Sequence, residues 1–267
     1  MNLKNKAIGI FDSGLGGLTV YREARKLLPY ENIIYFGDTM RVPYGNKSTE
    51  TIKRFAGEIT DFFISVGVKM IVVACNTISA NAIEVVRRHA GDIDVVGVIE
   101  PGVRRALEIT KNKKIIVIGT RATINSKAYS MLIKKIEPDA CIEEVACPLF
   151  VPLVEEGFVN DDVSYMTAKR YLGVYSEKNY DTLILGCTHY PLLKKTIRKV
   201  LPSVNIIDSS LSCAFAVKRI LEEKGIVNTS KKRGESRFFV SDRPQNFIEL
   251  SYRLAGVKIC KIGIKRF

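Results

Sequence analysis

The sequence predicts an α/β protein built from two pseudo-symmetric, doubly wound domains, each with a parallel sheet, and an active site in the cleft between them. Short apolar runs rich in Val, Ile and Leu alternate with amphipathic helical segments, which is the pattern of successive βα units. Two of these runs end in a cysteine, Cys75 and Cys187. Residues 6–13 also resemble residues 114–121, and each segment precedes one of the two cysteines at a similar distance. We therefore expect two related halves that face each other.

The predicted strands are continuous apolar runs, because a strand buried on both faces of a parallel sheet needs apolar residues at consecutive positions. In chain order they are 7–11, 33–36, 70–74, 95–99, 115–119, 182–186, 204–207 and 237–240. Helical periodicity follows several of them, at 19–28, 48–66, 77–89 and 190–200. We assign 1–98 and 211–267 to the first domain, which carries Cys75, and 99–210 to the second domain, which carries Cys187.

The composition is typical of a globular protein that buries its own core, with 46% hydrophobic and 26% charged residues in a chain of 267. The first predicted strand begins near residue 7, without the longer apolar stretch that a secretory signal needs, and no segment of the sequence approaches a membrane span. We therefore expect a cytoplasmic protein whose cysteines are free thiols.

The net charge of +13 would by itself suggest a nucleic-acid partner. Most of the excess falls within 211–267, where Lys231, Lys232 and Arg233 lie in a polar stretch that we interpret as a solvated loop. No interleaved aromatic residues and no zinc-ligand spacing accompany these charges. A nucleic-acid-binding protein remains an alternative, but we expect neither a nucleic-acid nor a membrane partner.

Cys75 and Cys187 each stand at the carboxyl end of a predicted strand and at the start of a helical segment. In an open α/β sheet this is the edge where ligands bind, so both thiols can be directed at one pocket. The residues that follow them, which suit a helix N-terminus, are Asn76 and Thr77 in the first unit and Thr188 and His189 in the second. The other cysteines lack this setting, and we interpret Cys141, Cys147, Cys213 and Cys260 as packing residues.

Two opposed thiols suit the inversion of an acidic carbon, because a base removes the proton from one face of the carbanion and an acid returns one to the other face. Zinc and redox sites usually show spacings such as CxxC or HxxxH, which are absent from this sequence, so we expect no metal and no cofactor. A helix N-terminus lowers the pKa of a nearby thiol, which favours the reactive thiolate. Asp12 can reach Cys75 if their strands are adjacent. His189 can relay a proton for Cys187, although a helix-capping role is an equal alternative for this histidine.

The charge of a substrate can be held by exposed backbone N–H groups, and two loops are candidates. Residues 12–17 (DSGLGG) form a turn that we interpret as a small-anion site, since Thr19 stands where the dinucleotide motif GxGxxG needs its third glycine. A second loop ends at Tyr44 and Gly45 and can close over a ligand, although a purely structural turn built on Pro and Gly is an equal alternative.

Five motifs in order resemble the cofactor-independent glutamate racemases of bacterial cell-wall synthesis, within the aspartate/glutamate racemase superfamily. They are FDSGLGGL at 11–18, FGDTMRVPYG at 36–45, VACNT at 73–77, CPLFVPLVEEG at 147–157 and LGCTHYP at 185–191. The resemblance covers nearly the whole chain. It implies interconversion of L- and D-glutamate by two bases, a supply of D-glutamate for peptidoglycan, and a homodimer.

The resemblance also assigns roles to individual residues. It implies that Cys75 abstracts the α-proton of D-glutamate with help from Asp12, and that Cys187 abstracts that of L-glutamate with help from His189. Glu155 is a further acidic residue by this resemblance, with its neighbour Glu156 as the other choice. The substrate contacts that it implies are Asp12, Ser13, Tyr44, Gly45, Asn76, Thr77, Thr188 and His189.

Other enzymes and binding proteins remain open at this point. A racemase for aspartate or hydantoins would keep both cysteines and differ only in substrate. A pyridoxal-phosphate racemase would need a Schiff-base lysine, and a thiol redox protein would join Cys75 to Cys187 on oxidation. The preference for glutamate comes from the resemblance alone.

Overall fold

Ten strands form two parallel sheets in the computed structural model, which describes residues 2–267. They are β1 (Ile8–Asp12), β2 (Ile33–Gly37), β3 (Met70–Val73), β4 (Asp94–Gly97), β5 (Lys114–Gly119), β6 (Cys141–Ala146), β7 (Thr182–Gly186), β8 (Asn205–Asp208), β9 (Ser236–Val240) and β10 (Ile262–Ile264). The first sheet has the order β10-β9-β2-β1-β3-β4 and the second has the order β6-β5-β7-β8. The predicted α/β class with two parallel sheets is confirmed.

Helices cover both faces of each sheet. They are α1 (Leu18–Leu27), α2 (Thr49–Ser65), α3 (Asn76–Ala90), α4 (Ile99–Ile109), α5 (Arg121–Asn125), α6 (Ala128–Ile136), α7 (Phe150–Glu156), α8 (Asp162–Leu172), α9 (Lys194–Val200), α10 (Ser209–Glu223) and α11 (Pro244–Ala255). On the first sheet, α1 and α10 share one apolar core and α2 and α3 share another. On the second sheet, α8 and α9 pack in one core and α4 and α6 in the other.

Side chains alternate between these cores along each central strand. In β1, Ile8 and Ile10 belong to the core beneath α1, whereas Phe11 belongs to the core beneath α2. Burying each such side chain contributes roughly 1.5–3 kcal/mol, which is why the central strands are apolar at successive positions. Among residues 2–267, no helix combines the length and the apolar character needed to cross a membrane.

Strand register brings the chemically interesting residues to one edge of each sheet. β1 and β3 are neighbours, with Phe11 opposite Val73, so Asp12 and Cys75 leave the first sheet side by side. β5 and β7 are neighbours as well, with Gly119 opposite Gly186. The adjacency of strands that Asp12 needs in order to reach the neighbourhood of Cys75 is therefore present.

The end of the chain returns to the first sheet, because β9 pairs with β2 and β10 pairs with β9. This agrees with the expectation that 211–267 completes the first half. The domain boundaries themselves remain a prediction.

Several predictions for single elements were wrong. β6 and β10 were missed because both are edge strands: β6 carries two glutamates and is only partly buried, and β10 has three residues. The strand predicted at 95–99 ends at Gly97, since α4 begins at Ile99. The helix predicted at 190–200 is a 3-10 turn, Tyr190–Leu193, followed by α9.

The prediction that four cysteines serve packing was right for two of them. Cys147 and Cys213 are fully buried in apolar cores. Cys141 and Cys260 are exposed, Cys141 because it opens the edge strand β6. All six cysteines are free thiols, as expected.

Candidate active site

A cavity of about 220 Å³ lies where the carboxyl ends of both sheets meet. It is lined by Ser13, Val42, Pro43, Tyr44, Gly45, Asn46, Cys75, Asn76, Thr77, Thr120, Arg121, Pro148, Val151, Pro152, Glu155, Cys187, Thr188 and His189. The structure thus brings together every predicted site residue except Asp12, which is fully buried behind the lining. Both thiols, one from each sheet, face the same space.

Cys75 enters the cavity from the first sheet. It follows β3 and is the N-cap residue of α3, and its Sγ lies 3.6 Å from the hydroxyl of Ser13. Burial, with a smaller contribution from the charge of Asp12, raises the pKa of Cys75 to about 12. The expectation that the helix N-terminus lowers this pKa was wrong, because the amide of Ile78 hydrogen-bonds the thiol but does not offset its desolvation.

Asp12 stands behind the cavity and connects the two halves. Its carboxylate accepts hydrogen bonds from the Gly14 amide at 2.9 Å and from the Thr188 hydroxyl at 3.3 Å. Burial raises its pKa, although the charge of His189 and these hydrogen bonds act in the opposite direction. Within residues 2–267 the side-chain hydrogen bond of Cys75 is made with Ser13, so Asp12 acts on this thiol through its charge.

Cys187 enters from the second sheet, directly after β7, and begins a chain of polar contacts. Its Sγ lies 3.8 Å from Nδ1 of His189, and Nε2 of His189 lies 3.1 Å from Oε1 of Glu155. Burial disfavours a charged imidazole, but the contacts with Cys187 and Glu155 outweigh it and raise the pKa of His189 to about 10. Of the two candidate carboxylates, Glu155 is therefore the one in contact with the histidine.

The loop that carries Tyr44 and Gly45 is fixed from behind. The Tyr44 hydroxyl donates to Asp38, and the same carboxylate pairs with Arg41 at 2.6 Å and accepts from Ser241 at 2.8 Å. Asp38 and Tyr44 are both buried. These contacts hold the loop in place. The loop is therefore a structural turn and at the same time one wall of the cavity.

The turn at 12–17 packs directly against the second half of the molecule. A Cβ atom at Gly16 would lie 2.6 Å from Nδ1 of His189 and in still closer contact with the Thr188 hydroxyl. A Cβ atom at Gly45 would lie 2.7 Å from Cβ of Thr120. Glycine at these two positions lets the backbones of the two halves approach each other.

Thr120 and Arg121 line the cavity but were not predicted. They follow β5, and in the internal repeat they align with Asp12 and Ser13 of the first half. The internal repeat between 6–13 and 114–121 therefore contained the signal that could have identified them. Among residues 2–267, no group of three or more His, Cys, Asp or Glu side chains is arranged to hold a metal ion.

The chain is similar to known racemases in both sequence and structure. The family described as Asp/Glu/Hydantoin racemase matches residues 16–216. The glutamate racemase of Geobacter metallireducens is 49% identical over 255 residues, which is 95% of this chain and 94% of that protein. The crystal structure of glutamate racemase from Francisella tularensis in complex with D-glutamate superposes with a TM-score of 0.92 at 42% identity, covering 98% of both chains.

More distant proteins share the fold alone. An aspartate racemase homologue from Pyrococcus horikoshii has a TM-score of 0.60 at 17% identity, covering 81% of this chain and 99% of its own.

Proposed function

We propose that this chain, which belongs to the Asp/Glu/Hydantoin racemase family, is a glutamate racemase, an isomerase that interconverts L- and D-glutamate. The observation that carries the proposal is the pair of thiols, Cys75 and Cys187, that reach one small cavity from two different sheets. Relatives named glutamate racemase that are nearly half identical over almost the whole chain supply the substrate.

The reaction needs one proton to leave Cα and another to arrive on the opposite face. In our assignment the thiolate of Cys187 takes the α-proton of L-glutamate, and the thiol of Cys75 gives its proton to the other face of the carbanion. D-glutamate leaves, with Cys187 now the thiol and Cys75 the thiolate. The reverse reaction begins from that state, with Cys75 as the base, so no electron acceptor is needed in either direction.

The surroundings of the two thiols favour the form that is ready for L-glutamate. With a pKa of about 12, Cys75 holds its proton at neutral pH. With a pKa of about 10, His189 is charged at neutral pH and can donate a hydrogen bond from Nδ1 to a thiolate at Cys187. Glu155 stabilises that imidazolium from the other side of the ring.

The carboxylates of the substrate meet hydrogen-bond donors from both halves. α3 begins at Asn76, so its first amides and its dipole face the cavity at Asn76 and Thr77. Tyr44 and Gly45 border the same space from the first half, and Thr188 borders it from the second. We propose that these residues, with Ser13, hold the substrate.

The alternatives have less support. An aspartate or hydantoin racemase would be expected to have its most similar relatives among those enzymes, and the aspartate racemase homologue shares only the fold at 17% identity. For a nucleic-acid-binding protein, the charges at Lys231, Lys232 and Arg233 are exposed, as predicted, but they lie in a loop remote in sequence from the cavity.

We further propose that the enzyme is a cytoplasmic homodimer that supplies D-glutamate for peptidoglycan. The family resemblance supports all three statements, and free thiols at the site suit a reducing compartment. Sedimentation velocity tests the dimer, because a species of twice the mass of the 29.9 kDa chain is expected.

The test of the activity is circular dichroism of L-glutamate incubated in D2O with the purified protein. We expect the signal to decay while deuterium enters at Cα, and we expect Cys75→Ala and Cys187→Ala each to lower the rate by about 10³-fold, in the range of general acid–base effects. Cys141→Ala is the control, because this thiol is exposed and does not line the cavity. A folded wild-type protein that leaves both enantiomers unchanged would refute the proposal.

A further inference from the structure

One polar atom at the cavity has no partner. Asn76 lines the cavity and is only 3% exposed, yet its amide nitrogen Nδ2 makes no hydrogen bond to any of residues 2–267. A buried donor without an acceptor is costly, and few native side chains remain in that condition. Because Asn76 lines the cavity, a ligand bound there can supply the missing acceptor.

The other end of the same amide is fixed by Tyr129, which the sequence did not single out. Tyr129 lies on α6, in the second half, and is fully buried. Its hydroxyl oxygen is 2.6 Å from Oδ1 of Asn76. This distance is usual for an O–H···O hydrogen bond and short for N–H···O, so the tyrosine donates to Oδ1. Burial raises the pKa of Tyr129, and the hydroxyl therefore keeps its proton at neutral pH.

The surroundings of Tyr129 disfavour the opposite orientation of the amide. If Nδ2 faced Tyr129, the tyrosine would have to direct its own proton to Ser209, whose Oγ is 3.4 Å away, at the outer limit of a hydrogen bond. Ser209 donates its own hydroxyl proton to the carbonyl of Leu185 at 2.9 Å, so Ser209 would be the acceptor in that long contact with Tyr129. The tyrosine proton therefore makes a stronger hydrogen bond with Oδ1 of Asn76 than it would make with Ser209.

We propose that Tyr129 is a positioning residue for the substrate: its hydroxyl holds the amide of Asn76 so that Nδ2 donates to a carboxylate of glutamate. The inference rests on the proposed function, since it needs a carboxylate ligand in the cavity. A residue of the second half would thereby orient a side chain of the first half that contacts the substrate.

The first test is Tyr129→Phe, which removes the hydroxyl and little else. Without it the amide is free to turn, and we expect KM for both enantiomers to rise about tenfold while kcat changes less than about threefold, as for one hydrogen bond to a charged group. Tyr21→Phe is the matched control, because Tyr21 is also buried and its hydroxyl lies 2.8 Å from the hydroxyl of Ser236, away from the cavity. We expect its KM to stay at the wild-type value.

A double-mutant cycle separates positioning from a general structural role. On an Asn76→Ala background, Tyr129→Phe should raise KM no further, because the amide that it positions is gone. An equal rise on both backgrounds, or an unchanged KM in Tyr129→Phe, would overturn the inference. If the wild-type protein fails to racemise glutamate, the proposed function itself is refuted instead.

Asn76→Asp keeps an oxygen to which Tyr129 can donate and replaces the Nδ2 donor with a carboxylate oxygen, so it tests whether a substrate carboxylate lies against this side chain. If Nδ2 faces the substrate, the substitution places a carboxylate oxygen against a substrate carboxylate, and KM should rise by about 100-fold or more, since a lost charged hydrogen bond is joined by repulsion. A wild-type KM in Asn76→Asp would mean that no substrate carboxylate lies against this side chain, and the inference would fail.

Discussion

The two thiols differ in how they are surrounded, and the surroundings of Cys75 favour its protonated form. Cys75 has a hydroxyl and a buried carboxylate as neighbours, and its pKa is raised to about 12. Cys187 has an imidazole that carries a proton up to a pH of about 10. In our assignment, Cys75 is therefore the thiol that holds its proton before L-glutamate reacts.

His189 makes the charged contacts of this site pH-dependent. Because its pKa is raised from 6.5 to about 10, the stabilisation from its charged form is complete below pH 6.5 and is lost as the pH rises through about 10. The rate of the L-to-D reaction, which in our assignment uses Cys187 as the base, should fall over the same upper range.

Replacing Glu155 should move that upper limit. Glu155→Gln removes one of the two partners that raise the pKa of His189, so the decline of kcat/KM for L-glutamate should begin at lower pH, with about a tenfold loss at pH 9. Glu156→Gln is the matched control, since Glu156 does not line the cavity. The pH–rate profiles of both variants test this, and superimposable profiles for Glu155→Gln and wild type would contradict the assignment.

At the scale of elements, the site depends on turns that follow strands rather than on the strands themselves. The turn after β1 touches the loop after β7, and the loop after β2 touches the residue after β5. Glycine at positions 16 and 45 makes both contacts possible. The turns thus form close contacts between the two halves beside the cavity.

Gly16→Ala should therefore impair catalysis more than folding. The added methyl group would overlap the Thr188 hydroxyl and the His189 ring, and displacing a catalytic group by about 1 Å can cost 100-fold in rate, so we expect kcat/KM to fall by about 100-fold. Overpacking should lower the free energy of unfolding by about 1–3 kcal/mol. Gly173→Ala is the control, because its Cβ would meet only Lys169 at 3.5 Å. Steady-state kinetics and thermal melts of both variants test this prediction. A wild-type kcat/KM in Gly16→Ala would contradict it.

The elements that the sequence predicts best are strands whose burial on both faces requires apolar residues at successive positions. β1, β3 and β7 are buried on both faces, so continuous apolar runs identify them and place Cys75 and Cys187 at their ends. β6 could not be found in this way, because Glu143 and Glu144 interrupt the apolar pattern of an edge strand. The contact of Tyr129 with Asn76 joins residues far apart in sequence, and neither residue type nor spacing indicates it.

At the scale of the whole molecule, a buried ion pair holds the returning chain on the first sheet. Nζ of Lys69 lies 2.6 Å from a carboxylate oxygen of Glu31 and donates to the carbonyls of Lys4 and Ile226. The other oxygen of Glu31 accepts from the amide of Asn228 at 2.7 Å. Both side chains are at most 1% exposed. Lys69 directly precedes β3, so this cluster lies at the amino ends of the strands, opposite the cavity.

Breaking this pair should destabilise the protein without changing its chemistry. Lys69→Met leaves the charge of Glu31 buried and unpaired, and the free energy of unfolding in urea should fall by about 3–5 kcal/mol. The double variant Glu31→Leu/Lys69→Met removes both charges and should recover part of that loss, although the Asn228 amide loses its acceptor. Lys53→Met, on the exposed face of α2, should change the stability by less than about 0.5 kcal/mol.

Folded Lys69→Met should keep the wild-type kcat/KM, because the cluster is remote from both thiols. A loss below about 1 kcal/mol, or a double variant as unstable as the single one, would show that the pair does not hold the returning chain in place.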